Sequence, residues 1–303
     1  MGRLSSNIRT KQNAIVQNLV SVIIVNFNSG DHLRFCVESI LGSTIKCEII
    51  ISDNASTDQS LLNLPQHSAI KIIQQATNLG FARANNNVLS QASGEYILFL
   101  NPDCVIQPDT LAEMSRILDA YPNAGMAGCL LKNSDGSEQA GCRRRIPTPK
   151  RLFAQWFKQS EPYLQNRDSL PQGPIAVEAI SGAFMFVRKS ALEKVGPMDE
   201  AFFMHCEDLD WCMRFRQAGF DVLFVPHVEA THVKGVSSRT RPIAVEWHKH
   251  NGMVRLYRKH FATQYSSTAQ IFLTFAIWAH FIVKLPFLFL TNVLGLNYRH
   301  RSK

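Results

Sequence analysis

Three carboxylates occupy four positions, Glu207-Asp208-Leu209-Asp210, where the apolar run AFFMHC gives way to the amphipathic stretch DWCMRFRQAG. Acids this close repel one another and are unfavourable beside apolar neighbours unless each has a use. One use is ordinary: acids in a first helical turn complement the macrodipole and cap free N–H groups. Asp210 is expected to be such a cap or a surface acid. Another use is general-base chemistry, the removal of a proton from a hydroxyl nucleophile. A second acidic position, Asp103, lies just beyond the apolar run YILFL and the dipeptide Asn101-Pro102. A carboxylate there suits a hard divalent cation that holds a diphosphate. Together the two positions predict a cleft with a metal-bound leaving group at one end and a general base at the other.

The elements that must position these groups are legible in the apolar pattern. Continuous apolar runs predict strands over Ser21–Phe27, Glu48–Asp53, Ile70–Ile73 and Tyr96–Leu100, with helical patterns after the first and third. Such alternation predicts an α/β fold, a mostly parallel sheet with helices on both faces. Ligands of such sheets bind beyond the carboxyl ends of the strands. Polar residues stand there repeatedly: Asn26 and Asn28, Asp53 and Asn54, Asn101 and Asp103. Neither G-x-G-x-x-G nor G-x-x-x-x-G-K-[ST] occurs, so phosphates are not expected on a glycine loop. Further strands are expected over Met126–Leu131, Ala183–Arg188 and Asp221–Pro226, and a helix over Ile243–Phe261. The polar stretch 133–174, with Arg143-Arg144-Arg145, is expected to be a mobile loop or small insertion. Its arginines suit a solvated basic face or a lipid-diphosphate acceptor.

Composition narrows the classes. The chain has 303 residues, 46% hydrophobic and 18% charged, which describes a globular protein with a substantial core. The formal net charge of +8 favours an anionic partner: nucleic acid, a membrane face or a phosphorylated substrate. Neither aromatic interleaving nor a reader helix is evident, so nucleic acid is not expected. Seven scattered cysteines form no C-x-x-C pair, which points to reduced thiols and a cytosolic compartment. The first 18 residues form a polar lead-in without a signal-peptide core, although Gly2 and Ser6 match the loose myristoylation pattern. From Ile271 to Leu296 the tail is almost wholly apolar, interrupted by Lys284-Leu285-Pro286 and followed by a basic terminus. A charge in mid-bilayer is expensive, so a pair of short helices lying in the interface is expected. A true span and a packing surface are the alternatives.

The segments SVIIVNFNSGDHLRFCVESI, DNASTD, NLGFARANN, YILFLNPDC and FMHCEDLDWCMRFRQAGF stand in the order seen in family 2 glycosyltransferases, which the chain resembles from about Ser21 to Phe261. These are inverting, nucleotide-sugar-dependent enzymes of the GT-A fold, and the chain looks most similar to bacterial rhamnosyltransferases of O-antigen and cell-surface glycan assembly. The resemblance implies a nucleotide-sugar half (19–125), an acceptor half (126–261) and a membrane-associating tail (262–303). It implies that Asp53 binds the nucleotide base, with Asn28 and Arg83 nearby on the nucleotide and diphosphate. Asn101-Pro102-Asp103 takes the place of the D-x-D metal motif, with asparagine replacing the first acid. Asp103 is then the ligand of Mg2+ or Mn2+, and His232 a contact to metal or diphosphate, with Lys234 and Arg239 adding charge. Asp208 is the implied base, supported by Glu207, and Gly182 lets backbone approach the sugar. The implied partners are a nucleotide-diphospho-sugar, plausibly dTDP-rhamnose, a lipid-linked or glycan acceptor, and the anionic inner face of the plasma membrane. Other donors (galactofuranose, glucose, an N-acetylhexosamine) and a non-catalytic nucleotide-sugar-binding subunit are the rival readings.

Overall fold

The computed structural model describes residues 19–156, 169–233 and 241–293. The lead-in, the basic terminus and the Lys234 and Arg239 expected beside His232 lie outside the described residues. Strand β1 (Val20–Asn26) is buried along its whole length, as a continuous β-branched run in a parallel sheet must be. Helix α1 (Asp31–Leu41) turns Leu33, Cys36, Val37 and Ile40 onto the sheet and leads to β2 (Cys47–Asp53). Then come β3 (Ile70–Gln74), α2 (Phe81–Leu89) and β4 (Tyr96–Leu100). These four strands are mutually parallel in the order β3-β2-β1-β4. Their carboxyl ends therefore bring Asn26, Asp53 and Asn101 to one rim.

The second half continues the same sheet. Its elements are β5 (Cys104–Ile106), α3 (Thr110–Ala120), β6 (Ala124–Lys132), β7 (Arg143–Arg144), α4 (Pro149–Trp156), β8 (Ile175–Ala176), β9 (Ala179–Ile180), β10 (Phe184–Arg188), α5 (Lys189–Val195), α6 (Glu207–Gln217), β11 (Asp221–His232), α7 (Pro242–His260) and α8 (Ser267–Val293). Strand β10 lies antiparallel between β4 and β6, and β11 runs parallel to β6. The full order is β3-β2-β1-β4-β10-β6-β11-β5, with β8 on β11. The sheet is mostly parallel, as expected, with the antiparallel β10 at its centre. Strand β11 also runs on past Pro226 to His232, carrying that histidine beside Cys104 of β5. Within the stretch expected as a loop, β7 forms and pairs with β9, which follows that stretch, as a two-stranded ribbon.

Asp210 is neither a cap nor a surface acid. It is fully buried, and its carboxylate meets Arg214 Nε at 3.0 Å and both Lys259 Nζ and His260 Nε2 at 2.7 Å. This cage ties α6 to the end of α7. The tail also differs from expectation: α8 is one continuous helix with Pro286 inside it. Lys284 does not break it, because its ammonium reaches Glu246 of α7 at 2.7 Å. Leu273, Ile277 and Phe281, spaced four apart, are buried, whereas Ile271, Phe275, Ile282 and Val283 are exposed. Asp210→Ala removes the buried acceptor shared by Arg214, Lys259 and His260 and is expected to lower stability by about 3 kcal/mol, the lower end for breaking a buried pair, measured by chemical unfolding.

Candidate active site

Asp103 and His232 meet where β5 and β11 pair. Asp103 Oδ1 lies 3.1 Å from His232 Nε2, and both residues are buried. The other ring nitrogen, Nδ1, donates to Gln139 Oε1 at 2.6 Å. Gln139 can only accept there, because its Nε2 already donates to Asn133 Oδ1 at 3.0 Å and to the His232 carbonyl at 3.3 Å. Nδ1 thereby carries a proton, and Nε2 stands 3.1 Å from the Asp103 carboxylate. Carboxylate oxygen with imidazole nitrogen is a donor set that a divalent metal fits. Cys104 lies in the same cluster but is not a suitable ligand. Its thiol donates to the Ala183 carbonyl at 3.5 Å, and burial, then the charge of Asp103, push its pKa well up. Asn101, at the place of the missing acid, turns its amide nitrogen to within 3.4 Å of His232 Nε2.

The acidic knot stands at the start of α6, behind a strained turn. His205 and Cys206 both have left-handed backbones, φ 67° and 70°, which non-glycine residues adopt rarely and often at functional sites. Among the described residues, the hydrogen-bond partners of Asp208 are donors. Arg144 of β7 forms an ion pair with Oδ2, the Gly182 N–H donates to the same oxygen at 3.0 Å, and the Leu209 N–H donates to Oδ1 at 2.8 Å. Glycine suits this contact, since a Cβ at 182 would sit 3.3 Å from Asp208 Cβ and crowd it. The close approach at Gly182 is therefore to the carboxylate side chain. The Ala183 carbonyl, one residue on, accepts the Asn101 N–H at 2.9 Å, so a single corner of chain joins the knot to the Asp103 cluster.

Sequence reasoning missed Gln139 and the role of Arg144. The arginine run was visible, but nothing local showed that Arg144 pairs with an acid 64 residues away. Arg143 is buried against Glu138 at 2.9 Å and Arg144 pairs with Asp208, so neither of these two belongs to a solvated basic face.

The nucleotide-side residues form a separate network at the rim. Asn28 Oδ1 accepts the Thr57 N–H at 2.8 Å and the Asp58 N–H at 3.3 Å, pinning the turn after β2 to the end of β1. Asp53 is buried and accepts from Asn26 Nδ2 at 2.8 Å and from the Ser56 N–H at 3.2 Å. Arg83 lies apart from them, exposed on α2 and 3.6 Å from Glu200.

Glu207 contrasts with its neighbour. It is buried, and its Oε2 has no hydrogen-bond partner among the described residues. Burial, then the charge of Asp208, push its carboxyl up to about 8. The folded chain therefore keeps a proton that the unfolded chain releases at the ordinary carboxylate value. Stability is then expected to fall as pH rises through that interval and to level off above about pH 8. Glu207→Gln removes this decline, so its melting temperature relative to the unmutated chain should rise between about pH 5.5 and 8.5. An unchanged difference would mean that Glu207 is ionised in the folded protein.

Comparison with known proteins agrees with this geometry. Residues 21–196 match the family described as Glycosyl transferase family 2. The N-acetylglucosaminyl-diphospho-decaprenol L-rhamnosyltransferase of Mycobacterium tuberculosis is 27% identical over 244 residues, 74% of this chain and 79% of that protein. The rhamnosyltransferase WbbL of Escherichia coli K12 is 28% identical over 254 residues, 80% of this chain and 94% of that protein. Among solved structures, the mannosyltransferase PcManGT of Pyrobaculum calidifontis, in complex with GDP-Man and Mn2+, superposes with a TM-score of 0.56 at 17% identity, covering 95% of this chain and 77% of its own. That likeness establishes the GT-A type of sheet. The chain belongs to glycosyl transferase family 2 and is a glycosyltransferase.

Proposed function

We propose that the chain transfers L-rhamnose from dTDP-rhamnose to an N-acetylglucosaminyl-diphospho-polyprenol acceptor at the inner face of the membrane, with inversion at the anomeric carbon. The rhamnosyl group and the acceptor are those of the relatives above, and the dTDP donor is that implied by the family resemblance. The observation that carries the mechanism is the placement of Asp208, held by donors, one backbone corner from the Asp103–His232 pair.

Asp208 is the general base. Two donors occupy its Oδ2, whereas Oδ1 accepts only the Leu209 N–H and keeps a lone pair for an acceptor hydroxyl. As that hydroxyl attacks, its proton passes to Asp208, the new C1–O bond forms, and the bond from C1 to the diphosphate breaks on the opposite face. No covalent intermediate is needed. Asp103 and His232 would hold Mg2+ or Mn2+, which when bound offsets the charge of the departing nucleoside diphosphate. Glu207, whose buried Oε2 has no hydrogen-bond partner among the described residues, is assigned a supporting role beside Asp208. Asn28 and Asp53 are assigned to the nucleotide through the rim they build. Arg83 keeps its assignment to the diphosphate only if Glu200 releases it.

Helix α8 is apolar and long enough to cross a membrane. Its packing on α7 along Leu273, Ile277 and Phe281 favours a helix lying in the interface, with the opposite apolar face in lipid.

A donor panel assayed for nucleoside diphosphate release tests this reading. Release from dTDP-rhamnose is expected to need the lipid-linked acceptor and a divalent metal, and to stop with chelator. Asp208→Asn is expected to lower transfer about 10²–10⁴-fold while retaining donor affinity, the range general-base catalysis supplies. Full transfer by this variant would remove Asp208 from the role.

A further inference from the structure

A groove of about 470 Å³ lies between the start of α7 and α8, with Ile243, Ala244 and Trp247 on one side, Phe281 on the other, and Arg241 and His248 at its edge. Its size is that of a small-molecule pocket and its lining is largely apolar. Its position joins three regions that are otherwise separate. Arg241 reaches toward the donor side, its guanidinium 5.9 Å from the ring of Phe27, the residue before Asn28. His248 stacks on Phe203 at 4.3 Å, four residues ahead of Glu207. One turn further along α7, Gly252 lies against the strained turn, where a Cβ would come within 2.8 Å of the His205 carbonyl. Phe281 belongs to α8, whose outer face exposes Phe275, Ile282 and Val283.

We infer that this groove holds the first isoprene units of the lipid-linked acceptor, with Arg241 on its diphosphate and the remaining chain running onto the apolar face of α8. This rests on the acceptor proposed above. The occupant is selected by the combination of features. A cation beside an apolar trough suits a diphosphate joined directly to a hydrocarbon chain, and a soluble glycan has nothing to place in the trough. Phe281 of the groove is followed on α8 by the exposed Ile282 and Val283, an apolar surface onto which that chain can run. His248, which also lines the groove, stacks on Phe203 in the segment leading to the acidic knot.

The test compares the intact chain with Ala244→Trp, which fills the trough, and Arg241→Gln, which removes the cation. Each is assayed with N-acetylglucosaminyl-diphospho-decaprenol and with the same head group on a short alkyl chain. Ala244→Trp is expected to lower kcat/KM for the long-chain acceptor relative to the short-chain one at least about tenfold, through KM. Arg241→Gln is expected to raise KM for both. Equal effects of Ala244→Trp on the two acceptors, or no effect, would overturn the inference. So would a parallel loss of sedimentation with anionic vesicles that lack acceptor, since the groove would then serve membrane attachment. Failure of the acceptor reading itself is distinguishable, because the unmutated chain would then transfer to neither acceptor.

Discussion

The backbone corner Ser181–Gly182–Ala183 holds the site together. The Gly182 N–H points to Asp208 and the Ala183 carbonyl takes the Asn101 N–H, so the acidic knot and the Asp103 cluster are referenced to the same rigid piece of chain. This works because β10 enters the sheet antiparallel to β4, starting where β4 ends. A parallel strand there would have put its first residues at the opposite edge. The antiparallel insertion that departs from simple strand–helix alternation is therefore what makes the site possible. The ribbon of β7 and β9 completes it by carrying Arg144 to the same corner.

Three neighbouring acids then acquire three different characters from their surroundings. Asp210 sits among Arg214, Lys259 and His260; burial works against its charge, but the bonds from His260 and Lys259 outweigh it and hold the carboxyl below its ordinary value. Glu207 is equally buried, lacks such a cage, and is raised to about 8. Asp208 meets one guanidinium and two backbone N–H groups, enough to fix it while leaving an oxygen lone pair free. Separation of acid and base roles between adjacent carboxylates is expected where their environments differ this sharply. The cage around Asp210 also serves the other two, since it anchors α6 and keeps the strained turn at His205 and Cys206 from relaxing.

What the sequence made legible follows from the range over which each force acts. Strands β1, β2 and β4 were visible because burial on both faces demands unbroken apolar runs, and the polar residues at their ends marked the rim correctly. The acids of the site were visible because carboxylates next to apolar runs are costly. Helix α3 and the ribbon at Arg143–Arg144 were missed: the first has an amphipathic pattern that was passed over, and the second is two residues held by distant contacts. Gln139 carries no local signal at all, because its significance comes from His232, 93 residues on. The burial of Asp210 had no local signal for the same reason, as two of its three partners arrive from α7.

Helix α7 is the element whose function the linear chain concealed most. One face carries Lys259 and His260 to Asp210 and lays Gly252 on the turn before Glu207. Another carries Glu246 and His250 to Lys284 and His280 of α8. Helix α8 is thus joined through polar and apolar contacts to the same helix that braces the acidic knot. A charge in the middle of an apolar tail is read as an obstacle to lipid only when the helix is considered alone. Paired with Glu246, Lys284 instead fixes the rotation of α8, turning Leu273, Ile277 and Phe281 inward and leaving the opposite stripe apolar. The residue that argued against a span across the bilayer is the one that sets the rotation of α8 on α7.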